Sequence, residues 1–428
     1  MGFDSLKLHP QIRENIRALG YEVPMPIQRK AIPAIIEGKD VIGLAQTGTG
    51  KTAAFGIPLL HRLMEGPRRR LRVLVVGPTR ELAEQTRDAL FEIGKDTRLH
   101  CVTIYGGVSM HPQISCLRQG AEIAVACPGR LLDHVRQGTI NLSHVECLIL
   151  DEADRMFDMG FLPDIRRIME KLPVQRQTLL FSATMPDAIR VLVKDFLRDP
   201  VTVQIAHSKP AESVSHALYP VPQHLKTALL LSLLERTDKG SVLVFTRTKQ
   251  RAKRLAEQLE RSGHTATCLQ GNLSQSQRRI AMEGFRKGRY QILVATDIAA
   301  RGIDVSSISH VINFDMPNSV DDYTHRIGRT GRAAKLGDAF TFVTREDEGT
   351  VRLIERVLGS RIERRKLDDF DYMAAAPASS HSRHSSAASS RGGYQEGGRR
   401  PPPRSSGSRY AGPSRQGSRA SRYPKSFT

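Results

Sequence analysis

Two short stretches carry the residue types needed for phosphate chemistry. Ala45–Gln46–Thr47–Gly48–Thr49–Gly50–Lys51–Thr52 sets two glycines, a lysine and a threonine in the order of a phosphate-cradling loop. Asp151–Glu152–Ala153–Asp154 lies about a hundred residues downstream, directly after the apolar run Cys147–Leu148–Ile149–Leu150. Gly48 and Gly50 let backbone N–H groups turn inward on phosphate oxygens, and the N-terminus of a following helix adds partial positive charge. Lys51 then reaches the β- and γ-phosphates. The Thr52 hydroxyl and the Asp151 carboxylate supply oxygen ligands for Mg2+, and Glu152 polarises the attacking water. The pairing predicts binding and hydrolysis of a nucleoside triphosphate such as ATP. One residue departs from the general loop pattern, because Ala45 stands where glycine is usual.

These residues need strands that end beside them. Continuous apolar runs at Val41–Leu44, Val73–Val76, Val102–Tyr105, Ile123–Ala126, Cys147–Leu150 and Thr178–Phe181 alternate with helix-length spacers. Such runs predict strands buried on both faces, hence a parallel sheet wrapped by helices. The rhythm breaks after Asp199–Pro200 and restarts at Val242–Phe245, Thr267–Leu269, Ile292–Ala295, Val311–Phe314 and Phe340–Val343. The expected organisation is an N-terminal α/β lobe over 1–205, a linker over 206–214, a second α/β lobe over 215–368, and a tail over 369–428. Ser, Arg, Gly and Pro dominate that tail. Its few apolar residues cannot offset the entropy of ordering, which predicts disorder.

The 428 residues suit two domains and tails. No apolar run is long enough to span a membrane, and the first residues lack a basic-then-apolar signal pattern. Five cysteines, none in a Cys-x-x-Cys pair, read as reduced thiols of a cytoplasmic protein. The net charge of +20 favours a polyanionic partner. Residues 374–428 hold ten Lys or Arg against the single acid Glu396, so the first 373 residues still carry +11. Arginines near Tyr394, Tyr410 and Tyr423 suit loose contact with nucleic acid.

Two further signals are modest alone. Ser182–Ala183–Thr184 follows a strand end, and Gln28 has an amide able to read an adenine edge. Together with the two opening stretches they form an ordered series. The series includes Pro78–Thr79–Arg80–Glu81–Leu82–Ala83, Ala295–Thr296–Asp297–Ile298–Ala299–Ala300–Arg301–Gly302–Ile303–Asp304 and His325–Arg326–Ile327–Gly328–Arg329–Thr330–Gly331–Arg332. Over roughly residues 1–367 the chain resembles the DEAD-box RNA helicases of superfamily two, whose own phosphate loop begins with Ala. Phe157–Asp158–Met159–Gly160–Phe161 and the short N-terminus look most like the bacterial RhlE group.

The resemblance implies two RecA-like lobes, ATP and Mg2+ as cofactors, RNA as partner, and local, non-processive unwinding or remodelling of RNA–protein complexes. It implies that Gln28 reads adenine with Phe3 stacked on the base, and that Gly302 and Asp304 approach the ribose. Ser182, Thr184 and His325 would couple hydrolysis to closure. Arg80, Gly107, Arg130, Gly271, Gln275, Thr296 and Arg301 would meet RNA. Arg329 and Arg332 would act as arginine fingers, and, three apart, would share one face if helical. Because they lie in the other lobe, hydrolysis should require closure. Two positions depart from the family pattern, Cys127 for Thr and Gln270 for His. Neither ribosome assembly nor RNA decay is singled out as the pathway. An RNA clamp without productive unwinding, and a DNA- or protein-directed motor, are the alternative readings. Intact Glu152, Arg329 and Arg332 weigh against the first, and the linear order of the motifs against the second.

Overall fold

The computed structural model describes residues 2–45, 48–205, 214–237, 240–300, 308–331 and 337–375. Each lobe is organised around one sheet. The first holds β1 (Val41–Leu44), β2 (Val73–Val76), β3 (Cys101–Ile104), β4 (Ile123–Ala126), β5 (Cys147–Leu150), β6 (Gln177–Ser182) and β7 (Val201–Gln204), in the order β3-β4-β2-β5-β6-β1-β7. The second holds β8 (Val214–Pro220), β9 (Ser241–Phe245), β10 (Ala266–Leu269), β11 (Ile292–Ala295), β12 (Ile308–Asn313), β13 (Gly337–Val343) and β14 (Glu363–Arg364), in the order β10-β11-β9-β12-β13-β8-β14. All neighbours pair in parallel. The loops that follow the strands therefore gather on one edge of each sheet, and those that precede them on the other.

The central strands are buried along their whole length, as uninterrupted apolar runs require. Alternate side chains feed opposite layers. Val73, Val75 and Ile149 join the core on one face of the first sheet, while Leu74, Val76, Leu148 and Leu150 join the core on the other. The second sheet is covered the same way on its two faces.

Three strands, the edge strands β7 and β14 and the neighbouring β8, were not legible in the sequence pattern. β7 alternates buried and exposed positions, β8 carries Ser215 and His216 among its apolar residues, and β14 is two exposed residues. Of the expected linker, 206–213 lies outside the described residues, and Val214 already opens β8. The second lobe also continues past 368. Leu367, Phe370, Tyr372 and Ala374 pack on its core, and Phe370 meets Tyr372 edge-on at 4.8 Å. The Tyr372 hydroxyl accepts from the Leu367 N–H at 2.8 Å, and the Ala374 carbonyl lies 2.9 Å from His224 Nε2. Two aromatic side chains in a polar stretch hold down a segment that composition alone assigns to the tail. From residue 376 onward the tail lies outside the described residues.

Truncation after Asp368 should therefore destabilise the second lobe by on the order of 2 kcal/mol, the value of burying about two half-covered aromatic side chains. Truncation after Ala375 should leave its chemical-denaturation midpoint unchanged. Equal midpoints for both truncations would refute the packing role.

Candidate functional site

The loop after β1 turns sharply into the helix Lys51–Leu63. Gly48 and Gly50 hold φ of 84° and 83°, the left-handed region that L side chains avoid. At Gly50 a Cβ would also lie 2.4 Å from Gln28 Nε2. Gln28 uses that closeness: its Nε2 donates to the Gly50 carbonyl at 3.1 Å, and its Oε1 accepts from the Met25 N–H at 2.9 Å. It thus ties the wall of a cavity of about 540 Å3 to the phosphate loop at its floor. Gly48, Gly50, Lys51 and Thr52 line that cavity. Lys51 is 8% exposed and donates to the Ala45 carbonyl at 3.1 Å. Gln46 and Thr47 lie outside the described residues. Phe3, expected to stack on the base, is buried behind Tyr21, ring centroids 6.2 Å apart and nearly parallel, and it is Tyr21 that lines the cavity.

Asp151 and Glu152 lie at the carboxyl end of β5, and both line the same cavity. Burial pushes the Asp151 carboxyl up to about 6; Lys51 opposes the shift and Glu152 reinforces it. Glu152 has φ 52°. A left-handed conformation costs a non-glycine residue on the order of 1 kcal/mol, which marks this turn as constrained. Among the described residues no group of three or more His, Cys, Asp or Glu is placed to hold a metal ion. The hard oxygen donors of Thr52 and Asp151 fit Mg2+, which takes few protein ligands beside phosphate and water.

Asp154 has a role the sequence reading did not assign. Its Oδ2 accepts from the Ala183 and Thr184 N–H groups at 3.1 and 2.9 Å and from the Thr184 hydroxyl at 3.1 Å. Its own N–H donates to Ser182 Oγ at 3.1 Å. The next residue, buried Arg155, reaches the second lobe at Asp322 Oδ1, 3.5 Å away. Ser182 and Thr184 thus connect to the second lobe through Asp154 and Arg155. His325 and Arg329 line the small cavity beside that contact.

Arg329 is 5% exposed and lines the cavity that holds Lys51, Asp151 and Glu152. Arg329 itself lies past the end of a helix. The helix Val320–Ile327 ends first, because the Thr330 hydroxyl meets the carbonyls of Ile308 and Ser309 at 2.7 and 2.9 Å and draws the chain onto β12. Arg332, Arg301, Gly302 and Asp304 lie outside the described residues.

The expected RNA residues of the first lobe form one unit. Gly107, at φ 80°, lies against Arg80, whose guanidinium would be 2.3 Å from a Cβ there. Arg130 donates to the Val108 carbonyl at 3.1 Å. A network that the sequence reading missed supports this loop. Gln113 Nε2 donates to the carbonyls of Tyr105 and Ser109 at 3.1 and 3.3 Å, leaving its Oε1 to face His134 Nε2 at 3.2 Å. The other ring nitrogen of His134, Nδ1, lies 2.8 Å from the Thr139 hydroxyl. Gly271 and Thr296 follow the adjacent strands β10 and β11 in the second lobe. Gln275 is engaged by the first lobe, its Oε1 accepting from Arg80 at 3.3 Å. Arg278 and Glu81, each 10% exposed, pair across the lobes at 2.7 Å. Of the two departures, Gln270 closes its own turn by accepting from the Asn272 N–H at 2.6 Å. Cys127 sits at the N-cap of the helix Pro128–Arg136 and makes no capping bond. Burial pushes its thiol up to about 12.

Two outcomes follow. A raised folded-state value means that the folded protein holds the Asp151 proton more tightly than the unfolded chain. Its cost to stability therefore grows as pH rises and is complete above about 6. Asp151→Asn should stabilise the nucleotide-free protein at pH 7.5 by on the order of 3 kcal/mol, read by thermal melting, and the gain should shrink toward pH 5. A destabilisation of equal size at both pH values would contradict this. Cys127→Thr should supply the missing cap and raise stability by about 1 kcal/mol, with tighter RNA binding; unchanged melting would show that the N-terminus is already satisfied.

Comparison with known proteins agrees with this geometry. Residues 25–192 match the family model of DEAD/DEAH box helicases, and residues 225–334 match that of the helicase conserved C-terminal domain. The chain is 44% identical over 370 residues to the DEAD-box ATP-dependent RNA helicase CshA of Geobacillus kaustophilus, covering 86% of this chain and 79% of that protein. The solved structure of S. cerevisiae Dbp5 bound to RNA and ADP BeF3 superposes with a TM-score of 0.77 at 30% identity, covering 86% of this chain and 96% of that one. DEAD-box helicase Mss116 bound to ssRNA and UDP-BeF gives 0.79 at 26% identity, covering 87% and 81%. Both lobes, the phosphate loop and the Asp-Glu-Ala-Asp turn thus place the chain among the DEAD-box ATP-dependent RNA helicases.

Proposed function

We propose that RNA and ATP act on this protein as linked ligands of one closed arrangement of its lobes. The observation that carries the reading is Arg329, a second-lobe residue that lines the same cavity as Lys51, Asp151 and Glu152 of the first. An arginine at a transferring phosphoryl group is worth about 10³–10⁵ in rate, so hydrolysis depends on closure. RNA spanning Arg80, Gly107 and Arg130 on one side and Gly271 and Thr296 on the other favours that closure, and by reciprocity ATP tightens RNA. The Arg278–Glu81 and Arg155–Asp322 contacts favour the same state.

Within this reading Lys51 holds the phosphates and Glu152 orients the attacking water, taking its proton. Thr52 and Asp151 hold Mg2+, which when bound offsets the charge of the phosphate oxygens. Asp154 relays the change at Ser182 and Thr184 to Arg155 and Asp322. Few of the candidate RNA groups suit base reading, so recognition is of backbone and largely independent of sequence. A clamp that grips and bends one strand unpairs short duplexes locally, without long-range translocation. Work on RNA–protein assemblies, in ribosome assembly or RNA decay, in the cytoplasm is the setting this activity suits. No helix among the described residues is long and apolar enough to cross a membrane. A place near the RhlE group rests on the Phe157–Phe161 phrase, whereas the relative matched above carries the name CshA.

ATP hydrolysis measured with RNA, with matched DNA and with neither tests the proposal. RNA should stimulate the rate, and Glu152→Gln should lower the stimulated rate by about 10²–10⁴. Equal rates with and without RNA would end the linked-ligand reading, and persistent hydrolysis in the variant would end the assignment of Glu152.

A further inference from the structure

We infer that the amino edge of the first sheet, opposite the nucleotide cavity, is a second RNA-binding surface. The inference rests on RNA being the ligand of the carboxyl edge. Three loops, 65–72, 94–100 and 118–122, lead into β2, β3 and β4, and the strand order β3-β4-β2 makes them neighbours. They carry Arg68, Arg69, Arg70, Lys95 and Arg98, and Arg118 ends the helix His111–Arg118 that enters the third; all six are exposed. Among the described residues none of these six has a carboxylate partner; the nearby ion pairs Arg72–Glu146 and Arg87–Asp88 use other residues. Two exposed acids, Glu65 and Asp96, stand in the same loops. The third acid, Glu122, is 1% exposed and turned inward, its two oxygens accepting from the N–H groups of Arg69 and His100 at 2.9 Å each.

The surface is built rather than merely charged. Six described non-glycine residues have positive φ, and three of them, Arg69 (58°), Asp96 (61°) and Arg98 (57°), lie here. Each conformation costs on the order of 1 kcal/mol and persists only where its surroundings impose it. The surroundings are identifiable. Glu122 clamps two of the loops from below, and Arg68 Nη2 donates to the Thr97 carbonyl at 3.4 Å. Gly120 packs so closely on Arg69 that a Cβ would lie 2.6–2.8 Å from it. The backbone that carries the cations is therefore fixed before any ligand arrives, which lowers the ordering cost of binding.

Five of the six are arginines, whose planar fork matches a phosphate in two-pronged fashion. Beside them runs a groove of about 890 Å3 lined in part by Lys95, Arg98, His100 and Phe91. Phe91 is 67% exposed and offers a ring for base stacking. Asp88, Glu92 and Asp96 also line the groove, which sets the phosphate path outside it, along Arg68, Arg69, Arg70 and Arg118. An RNA held at the carboxyl edge that continues around the lobe meets this surface as an intramolecular partner, raising its effective concentration. The two edges then grip separate segments of one long RNA, and the back surface contributes affinity without taking part in hydrolysis.

The test compares the full chain with the variant Arg68→Gln/Arg70→Gln/Lys95→Gln/Arg118→Gln, which leaves the left-handed Arg69 and Arg98 in place. The single variant Arg118→Glu serves as an independent check, and thermal melting confirms folding. Fluorescence anisotropy reads binding to single-stranded RNAs of about 10 and about 40 nucleotides, the shorter within the range of one ssRNA site. The short RNA should bind both proteins equally and stimulate hydrolysis equally. The long RNA should bind the variant about tenfold more weakly, with a log–log salt slope flatter by roughly 2 to 3, at about 0.7 per lost phosphate contact. An unchanged slope for the long RNA would overturn the inference and leave the cations to an acidic protein surface. An equal loss for the short RNA would overturn it too. Failure of RNA to stimulate the wild-type ATPase would count against the linked-ligand reading alone, because binding is read separately.

Discussion

Parallel pairing of every described strand is the constraint on which the rest of the molecule depends. A parallel sheet sends all of its strand-to-helix loops to one edge. In the first lobe that edge receives the phosphate loop after β1, the Arg80 helix after β2, the Gly107 loop after β3, Cys127 after β4, Asp151 after β5 and Ser182 at the end of β6. Six loops far apart in sequence become one surface without any of them needing to recognise another. The second sheet repeats the arrangement, with Gly271 and Thr296 at its own carboxyl edge. The opposite edge of the first sheet is then free to carry a different surface, and its loops hold arginines of which Arg68, Arg69, Arg70 and Arg98 have no carboxylate partner among the described residues.

Within that frame the chemistry depends on charges kept out of water. Asp151, Glu152, Lys51 and Arg329 are each less than a tenth exposed. Buried charges interact more strongly than exposed ones and are costly unless compensated. The upward push on Asp151 is the visible cost, and a Mg2+ nucleotide is what offsets it in the proposed mechanism. Asp154 shows the other solution, since it is equally buried but saturated by the Ser182–Thr184 turn. Two carboxylates of one motif thus divide the work. Asp151, which accepts from the Glu152 N–H at 3.0 Å, faces the cavity, and the more fully bonded Asp154 joins the lobes.

Much of this was legible in one dimension. Continuous apolar runs gave the interior strands to within a few residues, because burial on both faces leaves an unbroken pattern. The phosphate loop and the Asp-Glu-Ala-Asp turn were legible because their chemistry is local: glycine torsions, a neighbouring lysine and a strand end. The edge strands β7 and β14, and β8 beside β14, were not, since exposed or polar positions interrupt the pattern that marks a buried strand. The packed segment 367–374 was hidden inside a polar composition. Only Phe370 and Tyr372, two aromatic residues in that stretch, could have signalled it.

Contacts between distant segments belong to the tertiary structure alone. No spacing rule places Tyr21 rather than Phe3 on the cavity wall, turns Gln275 toward Arg80, or sets Gln113 and His134 beneath the Gly107 loop. Each depends on how helices from separate parts of the chain pack on a common sheet. The sequence by itself determined which residues are candidates for a triphosphate site and that two α/β lobes carry them, because torsional preference and burial act over a few neighbours. Only the fold decided that Arg329 faces the cavity of the other lobe, which depends on side-chain contacts between the lobes, and that six cations share one edge, which follows from the parallel order of the strands.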